Sequence, residues 1–580
     1  MKAGEVFIND IFNGAKLIEV PFYQRSYVWK EDQWERFLTD MEYVSDTKRS
    51  YFLGSIILKN GEIPNMSDAF SIRKIIIDGQ QRLTTLILFF KALCLKAGCN
   101  GKFDHDFRFI DGTIAMQHGR NDCEAFKLVT DQEEPIEVPN STPSSAIITA
   151  YNYFLKKADP NRINLNIIKQ NVQFVCVDLA HGEDEQQVFD TINSLGVRLT
   201  TAELLKNYFY SRDNVQEYEN NWVEIFEKDS ECKQYWDQEV ETGRIRRSLI
   251  DIFFDAYFQI FVQSKVFSVS SEDKIAYARI DHLAQSYQDF VDKYCNKNKS
   301  VILEHMAEYA KCFAENFRLD YCERGIPGSR GIERMNVIMF GLKTTTLIPY
   351  VLYVAKEVQD QSKRNEIYDI LESYIMRRIV VRATTKNYNN LFTSLILNNV
   401  LDAQSLKERL NRSGEITTFV PNDDELLRGF IESKLVNLQS KGILYMMESA
   451  IRPANSATVL LGFNGYSLEH LMPKKWRNNW PACATEELAQ QRDSTLLTMG
   501  NLAIIPQSLN TSIRDGDWYT KKRGKGNSNP GLDICAGGIC TIHDVLQKPE
   551  WNEEEIKNRA KWLFEQAKQI WKIETAENSV

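Results

Sequence analysis

Apolar residues change their spacing near residue 80 in a way that predicts a strand, a turn and a helix. Residues 75–77 are three consecutive isoleucines, and Asp78-Gly79 follows them. Beyond the glycine, apolar residues fall at Leu83, Leu86, Ile87 and Phe90. This i, i+3, i+4, i+7 spacing is typical of an amphipathic helix. The stretch therefore predicts a buried strand, a tight turn at Gly79 and a helix that begins with polar side chains.

Similar patterns predict the organisation of the rest of the chain. Apolar runs at 52–58 and 172–177 indicate further strands, 146–158 indicates a helix, and Pro21 favours an edge strand over 20–29. From about 215 to 450, apolar and aromatic residues keep helical spacing throughout, which indicates helix core rather than a base-stacking surface. Two apolar strands and a helix follow between 466 and 510. We predict domains at 1–212, 213–450 and 451–580 in an α+β multidomain fold.

Length and composition limit the classes of protein that remain. At 580 residues the chain is too long for one core, and its 43% apolar and 26% charged residues are ordinary for a soluble globular protein. A net charge of −9 argues against a protein that coats nucleic acid indiscriminately. No apolar segment approaches about 18 residues and no leader pattern opens the chain. We therefore expect a cytoplasmic protein without a membrane span.

The cysteines and histidines show no metal-type spacing. Eleven cysteines are scattered along the chain, so reduced thiols are expected rather than zinc sites or disulfides. His105 and His118 lie in a weakly patterned region without partners at ligand spacing. Both are predicted to be surface histidines.

The predicted helix start after Gly79 is the first candidate site. A helix start has unpaired N–H groups and the positive end of the helix dipole, so it can receive an anion such as phosphate. Arg82 and Thr84 would add a charge-assisted and a hydroxyl contact, and Asp78 would hold a metal-bound water or a ribose. The alternative is an ordinary strand–helix corner with Arg82 in a salt bridge, because no Walker-type or GxGxxG motif accompanies it.

The second candidate site lies near residue 470. A strand ends in Glu469-His470, a loop and a second apolar strand through Asn501 follow, and a helix then carries Asn510. This is the arrangement of a ββα-metal (HNH) nuclease finger. A neutral histidine can take a proton from water near pH 7, and Mg²⁺ prefers oxygen ligands. We predict His470 as general base and Glu469 and Asn510 as ligands of Mg²⁺ (or Mn²⁺).

Two more positions complete this predicted site. Asn501 is expected to fix the finger loop and is counted with the catalytic residues. Lys521 or Lys522 is expected to bind the phosphate backbone, with Lys522 taken as the catalytic one. A single histidine beside a glutamate is usually structural, so the prediction depends on the whole arrangement.

Several segments resemble one known family in the same order along the chain. Residues 78–82, Asp-Gly-Gln-Gln-Arg, resemble the DGQQR signature of the ParB-like nucleotidase domain in GmrSD-type modification-dependent restriction enzymes. Residues 21–29 resemble that family's first motif, and residues 189–207 resemble a further segment of the same family. The resemblance implies a nucleoside triphosphate pocket. Its predicted residues are Gln24, Arg25, Asp78, Gly79, Gln80, Gln81, Arg82 and Thr84.

The C-terminal segments are similar to the HNH-like domain of the same family. The matching residues are Glu469, His470, Pro473, Gly500, Asn501, Leu502 and Asn510. Lys474 departs from the pattern, since relatives often have Gln there, but this is not expected to abolish metal binding. The implied fold is an N-terminal ParB-like α/β domain, a long all-α middle region and a C-terminal ββα-metal (HNH-like) nuclease domain.

The resemblance implies a modification-dependent DNA endonuclease of phage defence. Its N-terminal domain would bind and hydrolyse a nucleoside triphosphate, and its C-terminal domain would cut DNA that carries modified bases. One alternative is a nucleotide-regulated DNA sensor that binds without cleavage, and another is a toxic RNase. A homodimer would suit double-strand cutting. The kind of modification and the preferred nucleotide do not follow from the sequence.

Overall fold

The structure is a computed structural model of the 580-residue chain. It describes all residues except 1, 13–15, 22–23, 25, 62–71, 141–144, 180–200, 211–214, 244, 264–266, 278–282, 297, 329–330, 412–416, 454, 457, 508–514, 526–529 and 574–580. Of the predicted site residues, Arg25 and Asn510 lie outside the described residues, as does most of the segment 189–207. The chain divides into two compact units, Met1–Asn220 and Asn221–Val580.

A six-stranded mixed sheet organises the N-terminal unit. Its strands are β1 (Lys2–Phe7), β2 (Lys16–Glu19), β3 (Tyr51–Asn60), β4 (Ile72–Asp78), β5 (Met116–Gln117) and β6 (Val172–Leu179). Their order is β1-β6-β3-β4-β2-β5, with β3 parallel to β6 and antiparallel to β4. Strand β4, the run of isoleucines, therefore lies inside the sheet, between β3 and β2.

Helices cover one face of this sheet and form the main core with it. They are α1 (Ile8–Ile11), α2 (Glu31–Thr47), α3 (Gln80–Lys96), α4 (Asn100–Phe107), α5 (Arg120–Thr130), α6 (Ala146–Lys157), α7 (Leu165–Asn171) and α8 (Thr201–Phe209). Helix α3 follows β4 after one residue and is buried along most of its length. A helix that is apolar on all sides is expected at the centre of a core. The other face of the sheet carries a small apolar cluster that includes Ile57 and Ile77.

The helical middle of the chain begins at the end of the first unit and makes up the first part of the second. After α9 (Val215–Tyr218) and a π-helical stretch (Glu219–Glu227), its helices are α10 (Ser230–Trp236), α11 (Leu249–Gln263), α12 (Ser271–Tyr277), α13 (Leu283–Tyr294), α14 (Ser300–Asn316), α15 (Ile332–Asn336), α16 (Ile348–Glu357), α17 (Gln361–Val380), α18 (Tyr388–Leu397), α19 (Ala403–Leu410), α20 (Asp423–Glu432) and α21 (Asn437–Ile451). The predicted helical middle is confirmed, with one exception.

The exception is a β-hairpin between α10 and α11, so the prediction of an all-α middle region was wrong there. Strand β7 (Glu239–Thr242) pairs antiparallel with β8 (Ile245–Ser248). The β-branched residues Val240, Thr242 and Ile245 favour strand, and Gly243, at φ +66°, adopts the left-handed conformation that a tight turn needs.

The last part of the chain holds a two-stranded antiparallel sheet among short helices. Strand β9 (Tyr466–His470) pairs with β10 (Leu502–Pro506), and Leu502 lies opposite His470. The helices are α22 (Glu486–Thr495), α23 (Trp518–Arg523), α24 (Leu532–Cys535), α25 (His543–Leu546) and α26 (Glu553–Ile570). The turn Met499–Asn501 packs against α26, where a Cβ on Gly500 would lie 2.0 Å from the Ile556 carbonyl oxygen.

Two smaller expectations were wrong and two were confirmed. The described residues of 20–29 form no strand. Side-chain hydrogen bonds of Gln24 and Gln81, rather than a β-sheet ladder, hold this segment in place. His118 is 5% exposed and belongs to the core, whereas the His105 side chain is 86% exposed. All eleven cysteines are free thiols. Among the described residues, no helix is both long and apolar enough to cross a membrane.

Candidate functional site

The turn between β4 and α3 is fixed by a glycine. Gly79 has φ +98°, and a Cβ there would lie 2.6 Å from Cγ2 of Ile56, so only glycine fits without strain. No side chain caps the first turn of α3. Gly79 has no side chain that could accept a hydrogen bond from the N–H groups of that turn. A helix start that binds an anion needs N–H groups that are not capped in this way.

Beside this turn, Asp78 and Arg82 form an ion pair. Arg82 Nη2 donates to Asp78 Oδ2 at 2.9 Å, and the side chains of Arg82 and Asp78 are 23% and 20% exposed. A Cβ on Gly54, which has φ +131°, would lie 2.1 Å from Arg82 Nη1. The glycine in β3 thus leaves the space that the guanidinium fills, which places a partly exposed charge at the end of the strands.

Gln24 and Gln81 join the first motif to the strand–turn–helix. Gln24 Nε2 donates to the carbonyl oxygens of Ile76 and Ile77, at 2.8 and 3.2 Å. Gln81 Oε1 accepts from the Val28 N–H at 2.9 Å, and its Nε2 donates to the Ser26 carbonyl at 3.3 Å. The structure therefore brings Gln24 together with Asp78, Gly79, Gln81 and Arg82. The buried Gln80 lies at the first position of α3.

Thr84 does not lie on this surface. Its side chain is fully buried, and its Oγ1 donates to the Gln80 carbonyl at 2.7 Å and lies 3.0 Å from His118 Nε2. Burial lowers the pKa of His118 to about 3, so the imidazole is neutral. Beside it, Tyr27 Oη and Thr85 Oγ1 are 2.6 Å apart. This polar layer supports the helix from within, and Thr84 contributes to that layer.

The C-terminal site is built at the end of β9. Glu469 is 7% exposed, and its Oε1 accepts a hydrogen bond from Nζ of Lys521, which is fully buried in α23. Lys521 Nζ also donates to the His470 carbonyl at 2.6 Å. Burial raises the pKa of Glu469 and lowers that of Lys521, and each charge opposes the shift of the other. Asp515 lies close enough to raise the pKa of Glu469 further.

His470 is half-buried beside this pair. Burial, together with the nearby Lys474 and Lys521 ammonium groups, lowers its pKa to about 4. Its imidazole is therefore neutral near pH 7, which is the state that a general base requires. Among the described residues, no side-chain hydrogen bond occupies this imidazole.

Asn501 is a fully buried amide that uses both ends of its side chain. Its Nδ2 donates to the carbonyl oxygens of Met472 and Leu496, at 2.8 and 3.0 Å. Its Oδ1 accepts from the Met472 N–H at 2.8 Å and from Trp551 Nε1 at 3.0 Å. These contacts hold the loop that follows His470, which supports the positioning role predicted for Asn501.

The two adjacent lysines have different surroundings. Lys522 is half-buried, and its Nζ donates to the Lys548 carbonyl at 2.9 Å, so it does not join Glu469 and His470. Lys521 is the lysine beside Glu469, and because it is buried, the expectation that it binds the phosphate backbone was wrong. Trp518 is buried and precedes Lys521 by three residues, so the two side chains share one face of the helix. This spacing in the sequence distinguishes the buried Lys521 from Lys522.

The Glu469 carboxylate is suited to bind a divalent metal ion. Its Oε1 is bound to Lys521, whereas its Oε2 accepts no hydrogen bond from the described residues. Mg²⁺ is often held by one or two carboxylates and several waters. Glu469 is therefore able to supply one oxygen ligand, while the second predicted ligand, Asn510, lies outside the described residues.

Comparison with family models identifies both ends of the chain. A model described as GmrSD restriction endonuclease, N-terminal domain, matches residues 8–210, and one described as GmrSD restriction endonucleases, C-terminal domain, matches residues 420–566. A comparison with curated proteins found no match. The first match contains the Asp78–Arg82 turn and the second contains Glu469 and His470. The chain therefore belongs to the GmrSD-type (type IV) restriction endonucleases and is a DNA endonuclease of phage defence.

Proposed function

We propose that the chain cuts DNA carrying modified bases by metal-dependent hydrolysis in an HNH-like C-terminal domain, and that its N-terminal domain binds and hydrolyses a nucleoside triphosphate. The observation that carries the nuclease mechanism is the neutral imidazole of His470 at the end of β9, directly after Glu469, whose Oε2 accepts no hydrogen bond from the described residues. A DNA sensor that only binds has no need of such a base.

In this mechanism His470 takes a proton from the attacking water, and Asn501 keeps the loop behind it in place. Glu469 and Asn510 would hold Mg²⁺ (or Mn²⁺), and the bound cation would supply charge neutralisation for the phosphate and the leaving oxygen. Lys521 maintains the ionised form of Glu469 through its own charge and fixes the His470 carbonyl. This contact orients the strand end without touching the DNA.

The proposed triphosphate site uses the start of α3. Its uncapped N–H groups and the Arg82 guanidinium provide positive potential for the phosphates, and Asp78 is an oxygen donor at the same turn. Gln24 donates to the Ile76 carbonyl at the end of β4, and Gln81 holds Ser26 and Val28 beside the start of α3. Thr84 is fully buried and is not expected to touch the nucleotide.

A cleavage assay tests the nuclease assignment. Plasmid and differently modified phage DNAs are incubated with Mg²⁺ or Mn²⁺, with and without each triphosphate. His470→Ala should lose activity by roughly 10³-fold, the scale of a general base, whereas His105→Ala, which changes an exposed histidine, should cut normally. Equal cutting by His470→Ala and the wild type would refute the assignment. A parallel assay on RNA tests the alternative that the protein is a toxic RNase.

Phosphate release tests the nucleotide site. Asp78→Ala and Arg82→Ala should abolish triphosphate hydrolysis, because each removes half of the ion pair at the turn, and Arg49→Ala on an exposed position is the control. Circular dichroism should show an unchanged fold in all three variants. Unchanged phosphate release from either turn variant would show that the site lies elsewhere.

A further inference from the structure

A cavity lies in the C-terminal region, and neither Glu469 nor His470 lines it. It has a volume of about 180 Å³, and Thr541, Trp551, Arg559 and Trp562 are among the residues that line it. An engineered cavity of roughly 150 Å³ binds benzene, so this volume accommodates one six-membered ring with small substituents. Two indole rings in the wall suit a flat aromatic ligand.

The polar groups of the cavity wall have unusual surroundings. Arg559 is 6% exposed, and in the described part of the chain its guanidinium contacts only backbone carbonyls, including those of Gly500, Leu502 and Thr541. The buried hydroxyl of Thr541 has no hydrogen-bond partner among the described residues. A buried cation without an anion favours an electron-rich ligand atom such as a ring carbonyl.

The mouth of the cavity carries carboxylates. Asp544 is exposed, and Glu555 forms a 3.0 Å ion pair with Lys548 across the lining. Carboxylates accept hydrogen bonds from the exocyclic amino groups of bases. The exposed Asp544 therefore suits the amino group of a base that enters the cavity.

The cavity wall is also part of the nuclease framework. Trp551 Nε1 donates to Asn501 Oδ1, the same atom that holds the Met472 N–H behind His470. Arg559 binds the carbonyls on both sides of Asn501. A ligand against Trp551 and Arg559 would thus press directly on the turn that positions the catalytic loop.

We propose that this cavity is a nucleobase pocket, which receives one unstacked base of the DNA substrate against its lining of Trp551 and Trp562. Extruded bases are typically held by stacking on aromatic side chains and by hydrogen bonds to their edges. Arg559 and Thr541 would contact the inner edge of the base, and Asp544 its amino group. The inference rests on DNA being the substrate and deepens the proposed function.

Anisotropy measurements on full-length protein carrying His470→Ala test the pocket, in buffer with EDTA so that no divalent cation supports cleavage. The probe is a fluorescein-labelled duplex with one unpaired cytosine, compared with the same duplex carrying an abasic site there. The unpaired base should bind about 10-fold more tightly, the scale of one base–aromatic stack. Trp562→Ala should abolish that ratio, Trp562→Phe should restore it, and Lys561→Ala, on an exposed position of the same helix, should leave it unchanged.

Each other outcome decides against the pocket. A ratio near one in the parent protein, or a ratio that survives Trp562→Ala, would overturn it. Competition by free triphosphate that disappears in Trp562→Ala would assign the cavity to the cofactor base instead. Because binding is measured without cleavage, failure of the His470 mechanism would not affect this result.

Discussion

At the scale of single residues, the C-terminal site depends on a buried charge pair. Glu469 and Lys521 are both removed from water, and neither charge is stable there without the other. The nearby imidazole of His470 stays neutral for the same reason, since burial disfavours its charged form. Burial therefore shifts the pKa of all three groups, Glu469, His470 and Lys521.

Removing Lys521 should destabilise the protein strongly. Lys521→Met leaves the Glu469 carboxylate buried and unpaired, which costs about 3 kcal/mol of unfolding free energy. Lys522→Met removes a single hydrogen bond to a carbonyl and should cost no more than about 1 kcal/mol. Urea unfolding measures both variants. The double variant Lys521→Met/Glu469→Gln should recover part of the loss, and a further loss instead would contradict the pairing.

His118 should make the N-terminal unit sensitive to acid. Its folded pKa of about 3 lies below the unfolded value of 6.5, so below pH 6.5 the unfolded chain binds a proton that the folded chain excludes. Stability is therefore present above pH 6.5 and falls as the pH drops towards 3, by about 2 kcal/mol between pH 7 and pH 5. Nearby Asp122 has a pKa raised by burial, so its contribution has the opposite sign.

Urea titrations at pH 7 and pH 5 measure this effect. The pH-dependent loss should shrink in His118→Asn, whatever the stability of that variant at pH 7. His105→Asn, at a largely exposed histidine, should keep the wild-type dependence. Equal dependence in both variants would show that other groups bind the proton.

At the scale of elements, the strand–turn–helix at 72–96 is the part of the site that follows most directly from sequence. The isoleucines, Gly79 and the helical spacing after it all predict the same structure, and the structure has it. The burial of the Thr84 and Lys521 side chains was not predicted, because composition alone does not say which side of a helix faces the core. The β7–β8 hairpin was missed because its strands are four residues each, too short for a pattern to separate from helix.

Gly79→Ala should damage this element more than a glycine substitution with open space. Alanine at either Gly79 or Gly98 has to adopt positive φ, which costs about 1 kcal/mol. At Gly79 the new Cβ also meets Ile56 at 2.6 Å, so the loss should be larger by at least about 1 kcal/mol. Chemical denaturation compares the two variants, and equal losses would show that the turn relaxes freely.

At the scale of the whole molecule, the chain carries two candidate sites in separate compact units. The ion pair of Asp78 and Arg82 belongs to the first unit, and Glu469 with His470 belongs to the second. Nothing in the chemistry of phosphodiester hydrolysis requires a triphosphate. A nucleotide site in the same chain is therefore expected to regulate cutting rather than to take part in it.

Two variants separate regulation from catalysis. His470→Ala should stop DNA cleavage and leave triphosphate hydrolysis intact, since it removes only the base that activates water on the DNA. Arg82→Ala should abolish hydrolysis and make the cleavage rate independent of added triphosphate, while cleavage itself still requires Mg²⁺ or Mn²⁺ and His470. Initial rates of both reactions in each variant give the measurement, with Arg49→Ala as control. If Arg82→Ala kept the nucleotide dependence of cutting, the regulatory site would have to be sought outside the β4–α3 turn. If His470→Ala lost both activities, the two reactions would share one catalytic centre.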